Sequence, residues 1–573
     1  MVEGKPALPE DVLAEIEKGA LLNATRHGGK ADVGAVVGRI LAEFPDYRAR
    51  SGLIAKAAQE AVKETNALSL ADQEARLQDR FGGPEAPPAK EGRTSLRPLP
   101  NAVKGRACFR LPPEPSGFMT IGHAMAFNVN FLYKQMYDGQ LWLRFEDTNP
   151  RKVAPQYYDS FRRGVAWLGI ECDHEKNVSD DMELMYDKGE ELIRGRLAYA
   201  CACDAQKVKQ LRFEGKACEH RDGPEEGSLR IWRELVAKKH KEGDYVVRFK
   251  GDMQNVNYSL RDPNIFRTID HPHPLTGERY SLWPTYDIAN TIEDELCGVT
   301  HILRSSEFHT DLQQLIRESL RMKPVEVVQF SRYNFKGTPV KKRLLRPLVE
   351  SRMVSGWDDP RMPTVEGVKR RGVLPQAIRD FTVQVGYTST EHEFDWSLLL
   401  SLNRKLLDPM SRRLFFVPDP VEIVVEGAPD RTVDISYHPQ SQLGSRSIET
   451  SGTFVVPKVD VSTMAAGTTF RLMDLYNVQL TSTAPRLLAR YVGEDMVQGS
   501  KKVQWVAGKG TEVRVLVPGV LFDEAGEFVK DSLKEVHGLA EASLADAKVG
   551  EVVQFPRFGF CRLDSPGTLV LSC

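Results

Sequence analysis

A multidomain α/β protein with an all-β C-terminal part is what the sequence predicts, on three observations. Apolar residues recur at three- and four-residue spacing in 11–24 and 33–44, the period of amphipathic helices. From Ala107 the pattern becomes strand, loop, helix, strand, a βαβ unit that implies a parallel sheet. Past residue 405, short β-rich runs such as 414–427, 453–461, 511–522 and 551–563 are separated by turn residues, as in antiparallel β-barrels. At 573 residues the chain exceeds one compact core.

Composition narrows the class. With 41% hydrophobic and 27% charged residues it reads as a soluble globular protein. A net charge of −2 supplies no global attraction for nucleic acid, so RNA contacts must come from local basic patches. The first nineteen residues are charged and lack an apolar core, so no secretory signal is expected. No apolar run of about 18 residues is present, so no membrane span is expected. Both point to the cytoplasm. Eight cysteines in so long a chain are not a disulfide framework.

The segments follow in order. Residues 1–80 form a helical N-terminal domain, with a turn at His27-Gly28-Gly29-Lys30. Residues 81–106, rich in Pro, Gly and charge, read as a linker. Residues 107–195 and 286–345 are two halves of an α/β domain, and 196–285 is an inserted lobe. Residues 346–404 form a helical connector and 405–573 a β-barrel region.

A parallel sheet invites a nucleotide. Neither G-x-G-x-x-G nor G-x-x-x-x-G-K-[ST] occurs. Instead, Ser116, Gly117, Thr120, Gly122 and His123 lie between the first strand and the first helix. A helix N-terminus offers free N–H groups and a positive dipole end to a phosphate. Gly122 allows close approach, and Thr120 and His123, one turn apart, are candidate donors. Between Arg332 and Arg371 there are eleven Lys/Arg against four Asp/Glu, an excess that suits phosphate contact.

Cys201-x-Cys203 is followed by Cys218-x-His220. Three thiolates and an imidazole make a closed, structural tetrahedral zinc site. Unligated cysteines beside a surface histidine are the alternative.

Five ordered segments (FRLPPEPSGFMTIGHA, LRFEDTNPRKV, WPTYDIANTIEDELCGVTHILRSSEF, FKGTPVKKRLL and GWDDPRMPTVEGVKRRG) resemble the class I aminoacyl-tRNA synthetases of the glutamyl/glutaminyl branch, archaeal and eukaryotic type. The resemblance runs from about 107 to 400. It departs at Thr120, where the branch has histidine, and at Lys341, where it has serine.

The resemblance implies a Rossmann-like class I catalytic domain with an inserted lobe for the tRNA acceptor end. It assigns Ser116, Gly117, Gly122, His123, Lys341, Lys342 and Arg343 to ATP, which carries Mg²⁺. His123, Lys342 and Thr120 are the candidate catalytic residues. Arg110, Glu146, Tyr286, Asn290 and Arg304 are the candidate glutamate-binding residues. Arg304 favours glutamate over glutamine, because a guanidinium gains far more from a carboxylate than from an amide. Glutamate would be activated as its adenylate and passed to the terminal adenosine of tRNA(Glu), with tRNA(Gln) a second candidate. The barrels would read the anticodon, with Lys501, Lys502 and Trp505 as candidate contacts. The branch implies a monomer. A glutaminyl enzyme and a catalytically lapsed tRNA-binding protein are the rival readings.

Overall fold

The computed structural model describes residues 8–44, 47, 51–82, 96–306, 310–386 and 392–573. They form two compact units, Met1–Gly92 and Arg93–Cys573.

The N-terminal unit has helices α1 (Glu10–Arg26), α2 (Val33–Glu43), α3 (Ser51–Asn66) and α4 (Leu70–Phe81). Val12, Ile16 and Ala20 of α1 meet Val36 and Ile40 of α2 and Ile54, Ala58 and Val62 of α3, the apolar stripes seen in the sequence. Asp32 and Ser69 cap α2 and α4 by accepting from Ala35 N–H and Asp72 N–H. Gly28 and Gly29 turn the chain with φ of 64° and 92°. Glu17 of α1 holds Arg76 and Arg80 of α4 at 2.7 and 2.6 Å.

In the second unit, β1 (Cys108–Leu111), α5 (Ile121–Tyr137), β2 (Gln140–Phe145), α6 (Pro155–Trp167) and β3 (His174–Asn177) form the expected parallel layer, in the order β1-β2-β3. The register sets Arg110 opposite Trp142 and Leu111 opposite Leu143. Four of the six residues of β2 are fully buried, so its apolar run faces protein on both sides.

The inserted lobe follows, with α7 (Met182–Arg194), β4 (Ala198–Cys201), α8 (Ala205–Glu214), α9 (Glu225–Val236), β5 (Val246–Phe249), β6 (Asn264–Thr268) and β7 (Leu282–Pro284). Its strands make an antiparallel sheet in sequence order over a core containing Trp232, Phe266 and Trp283.

The chain returns through α10 (Tyr286–Leu296), β8 (His301–Ser305), α11 (Asp311–Ser319) and β9 (Glu326–Phe330). β8 and β9 pair in parallel, and Thr300 N–H donates to Cys108 C=O at 3.0 Å, setting this pair against β1. β10 (Tyr333–Phe335) and α12 (Lys342–Glu350) carry the lysine segment. The connector contains α13 (Val365–Arg370), α14 (Pro375–Val385), β11 (His392–Phe394) and α15 (Trp396–Leu407).

The linker reading needs correction at its end. Residues 83–95 lie outside the described residues, but 96–106 belong to the catalytic body. Leu96 and Leu99 are buried in its core, and Tyr133 Oη donates to Arg97 C=O at 2.7 Å. Two apolar residues within a Pro-rich stretch were enough to anchor it.

The C-terminal region forms a seven-stranded and a six-stranded sheet with separate apolar cores. Pairing is mainly antiparallel. Parallel pairs occur where distant segments meet, at Ile423↔Leu487, Arg471↔Lys502 and Arg514↔Thr568. Trp505 is fully buried in the first core, and its indole N–H donates to Met473 C=O at 2.8 Å. It therefore cannot stack on an unstacked base. Lys501 is engaged by Asp460 at 3.2 Å, while Lys502 is exposed.

Gly139 joins α5 to β2 where a Cβ would sit 2.5 Å from the carbonyl oxygen of Ala107. That oxygen belongs to backbone and cannot swing aside. Gly139→Ala is expected to cost about 1–3 kcal/mol, measured by chemical denaturation.

Candidate active site

The carboxyl ends of β1, β2 and β8 open into a cavity of about 970 Å³. Lining it are His123, Lys341 and Lys342 toward one side and Arg110, Glu146, Tyr286 and Arg304 toward the other, with Thr120 and Gly122. Residues more than 200 positions apart in the chain thus share one space.

The nucleotide side is built on the start of α5. Ile121 N–H donates to Pro363 C=O at 2.7 Å and Val365 N–H to Met119 C=O at 2.8 Å, so the fifth signature segment braces the first. Thr120 N–H donates to His123 Nδ1 at 3.1 Å, and Thr120 Oγ1 lies 2.9 Å from the same nitrogen. Nδ1 is therefore an acceptor, and the ring proton sits on Nε2. Burial, and then the Lys342 ammonium, lower the His123 pKa to about 3, so the ring is neutral at physiological pH. Thr120 lines the cavity as well as touching the histidine.

Lys342 opens α12 and donates from Nζ to Ser116 Oγ at 2.9 Å. Ser116 Oγ in turn donates to Glu114 Oε2 at 2.7 Å. The lysine stem crosses Gly117, where a Cβ would lie 2.7 Å from its Cδ and Cε. Burial, with Lys152 and Arg346 nearby, lowers the Lys342 pKa against the pull of Glu114. The loop before it is held from the C-terminal region. Gly337 C=O accepts from Leu521 N–H at 3.0 Å and Phe522 N–H at 2.9 Å. Arg343 is exposed and does not line the cavity, because the helical turn that starts at Lys342 carries it to the other side.

The opposite side is a cluster of buried charges. Asp294 of α10 accepts from Arg110 Nε at 3.1 Å and pairs with Arg144 Nη1 at 2.9 Å, all three fully buried. Arg144 donates to Glu146 Oε1 at 2.8 Å and to Asn290 Oδ1 at 2.9 Å. Arg110 keeps Nη1 and Nη2 without a hydrogen-bond partner among the described residues, and it borders the cavity. Burial raises the Glu146 pKa even against the opposing Arg144. Burial, with Arg110 nearby, lowers that of Arg304, against the pull of Tyr286. Two guanidinium groups facing one space repel each other until anions arrive, which suits a dicarboxylate.

Tyr286 lines the cavity, but Asn290, four residues on, is fully buried behind it. Asn290 does not line the cavity and instead accepts from Arg144 Nη2. Arg144 and Asp294 were missed from the sequence. For Arg144 the signal was a charge inside an otherwise apolar strand, which folds only with a partner; Asp294 is one of four acidic residues in α10 and carried no such signal.

In the lobe, Cys201, Cys203, Cys218 and His220 bring their ligand atoms within 4.8 Å of one another. Cys201 Sγ is 3.9 Å from Cys218 Sγ and 4.0 Å from His220 Nδ1, and Cys203 Sγ is 3.4 Å from that nitrogen. Tetrahedral zinc with Zn–S near 2.3 Å places sulfurs about 3.8 Å apart, so the group fits that ion. Tyr199 Oη lies 3.5 Å from Cys218 Sγ and donates to Asp262 Oδ2 at 2.8 Å.

The family described as tRNA synthetases class I (E and Q) matches through its catalytic domain at residues 107–409 and two anticodon-binding domains at 411–489 and 502–564. The chain belongs to this family of class I tRNA synthetases. It is 38% identical to the glutamate–tRNA ligase of Cenarchaeum symbiosum (strain A), covering 97% of this chain and 98% of that one. The glutamate–tRNA ligases of Nitrosopumilus maritimus (strain SCM1), with 99% and 100% covered, and Pyrococcus abyssi (strain GE5 / Orsay), with 96% and 96%, are each 37% identical.

Two outcomes test the site. The His123 ring is expected not to titrate between pH 5 and 8 by NMR. Because its folded pKa is lowered to about 3, the stability tied to this residue is full above its ordinary value and falls as pH drops toward 3. Metal analysis is expected to find about one zinc per chain, and Cys218→Ser to lose the metal and lower the melting temperature.

Proposed function

We propose that this chain is a glutamate–tRNA ligase that activates glutamate with ATP and esterifies it to the terminal adenosine of tRNA(Glu). The observation that carries the choice of amino acid is the pair Arg110 and Arg304 bordering one cavity beside Glu146. Glutamate has two carboxylates and one ammonium, and Arg110, Arg304 and Glu146 are a matching set among the charged residues that line the cavity. Arg110, through its two free Nη groups, takes the α-carboxylate. Glu146 takes the ammonium, whose charge offsets the burial that favours its protonated form. Arg304 takes the side-chain carboxylate. Asn290 acts through Arg144.

At the other side, ATP brings Mg²⁺ with its phosphates. The glutamate α-carboxylate attacks the α-phosphorus, the bond to the β-phosphate oxygen breaks, and pyrophosphate leaves. Negative charge grows on the phosphates, so fixed donors and cations there lower the barrier. His123 supplies a neutral Nε2–H and Lys342 a mobile positive charge, with Lys341 beside it. Gly117 and Gly122 keep the loop close to the nucleotide. A ribose hydroxyl of the tRNA then attacks the acyl carbon and AMP departs.

The zinc-holding lobe receives the tRNA acceptor end, and the C-terminal sheets read the anticodon. Zinc there is structural: four protein ligands leave no position for water, so it braces the lobe and takes no part in the chemistry. Thiolate ligands persist in a reducing compartment, which supports a cytoplasmic location.

Aminoacylation of tRNA(Glu) and tRNA(Gln) transcripts with labelled glutamate and glutamine tests the reading. Glutamate incorporation is expected, falling by about 100-fold in Arg304→Ala through loss of a buried charge-assisted pair. Glutamine incorporation by the wild type would mean that Arg304 has been misassigned. Label in the tRNA(Gln) lane would show that both tRNAs are substrates.

A further inference from the structure

We propose that Gln313 is a positioning residue that sets the preference for glutamate over glutamine, by orienting Arg304 without neutralising it. The proposal rests on the assignment of Arg304 to the substrate's side-chain carboxylate. Gln313 lies on α11 and is buried, with 5% exposure. Its Oε1 accepts from Arg304 Nη1 at 2.9 Å, and its Nε2 donates to Asp287 Oδ1 at 3.2 Å.

Asp287 settles which way the amide faces. A carboxylate only accepts, so the NH₂ end must turn to it and the oxygen must turn to Arg304. Asp287 thereby acts on Arg304 through a whole neutral residue. The other arginines around the pocket are handled differently. Arg110 and Arg144 share Asp294, and Arg144 also meets Glu146. Those ion pairs anchor the cations but reduce the charge they present.

The partner that α11 gives Arg304 is a neutral acceptor. It holds the guanidinium at Nη1 and adds no opposing charge of its own. A carboxylate at the same reach would hold the guanidinium equally well, but it would satisfy the charge internally. An apolar side chain would leave the charge and lose the orientation. Discrimination between a carboxylate and an amide needs both charge and orientation.

The test is steady-state aminoacylation of tRNA(Glu) by the full chain as wild type, Gln313→Glu, Gln313→Met and Arg304→Ala. KM for glutamate, KM for ATP and the glutamate-over-glutamine ratio of kcat/KM are measured. Gln313→Glu is expected to raise KM for glutamate by about ten-fold or more and to lower the ratio by a similar factor, with KM for ATP holding. Gln313→Met is expected to move the same quantities in the same direction by less.

Values for glutamate within about two-fold of wild type in both Gln313 variants would overturn the proposal. So would equal rises in KM for glutamate and ATP, the mark of general loosening. Should Gln313→Glu fail to fold, Gln313→Met decides alone, and an unchanged ratio overturns the proposal. Arg304→Ala reports separately: a wild-type KM for glutamate there removes the assignment of Arg304 itself, and the role of Gln313 with it.

Discussion

The buried carboxylate of Asp294 is the constraint on which the catalytic body depends. It lies between Arg110 of β1 and Arg144 of β2, and its three-way contact ties two neighbouring strands to the helix that covers them. Burial alone would raise its pKa, but Arg110, Arg144 and Arg317 pull it below the usual range. Removing one partner from such a buried group costs about 3–5 kcal/mol, because the remaining charges are left without solvent. The same arrangement that makes the cluster costly to break makes it rigid. Arg110 and Glu146 are therefore held in place at the edge of the cavity.

The two sides of the cavity solve different problems. The side with Arg110 and Glu146 has permanent charges fixed in a dense ion-pair network. The side with His123 and Lys342 combines a neutral imidazole with an ammonium. There Thr120 and its own N–H fix the proton of His123 on Nε2, and Lys342 rests against Ser116. The backbone N–H of Thr120 is enough to fix that tautomer, and its hydroxyl lies beside the same nitrogen.

Between these sides runs a division of labour among the less visible residues. Asn290 orients Arg144, Gln313 faces Arg304, and the 363–365 segment holds the start of α5 through backbone hydrogen bonds. None of them belongs to the segments carrying Ser116 to His123 or Lys341 and Lys342. They lie on helices or in the connector, where packing restricts their rotamers. Rigid support of this kind keeps reactive groups within the narrow geometry that catalysis requires.

Much of the architecture was legible in the sequence because it is local. Periodicity marked the N-terminal helices, and the strand-loop-helix-strand pattern from Ala107 marked the parallel layer. The phosphate loop and the Cys/His spacing are likewise short-range signals, since backbone geometry alone brings their members together. What tertiary structure decided is where partners lie far apart in the chain. Trp505 looked like an exposed base-stacking residue and proved to be core, because an aromatic between two short strands gives no sign of which sheet face is covered. Arg343 continues a basic run but turns away with its helix. The linker ends earlier than composition suggested, since Leu96 and Leu99 find a core that sequence does not show. Above all, Arg110, Arg144 and Asp294 read alone as three unrelated charges. A buried charge is tolerated only opposite another, and that pairing exists only once β1, β2 and α10 are assembled.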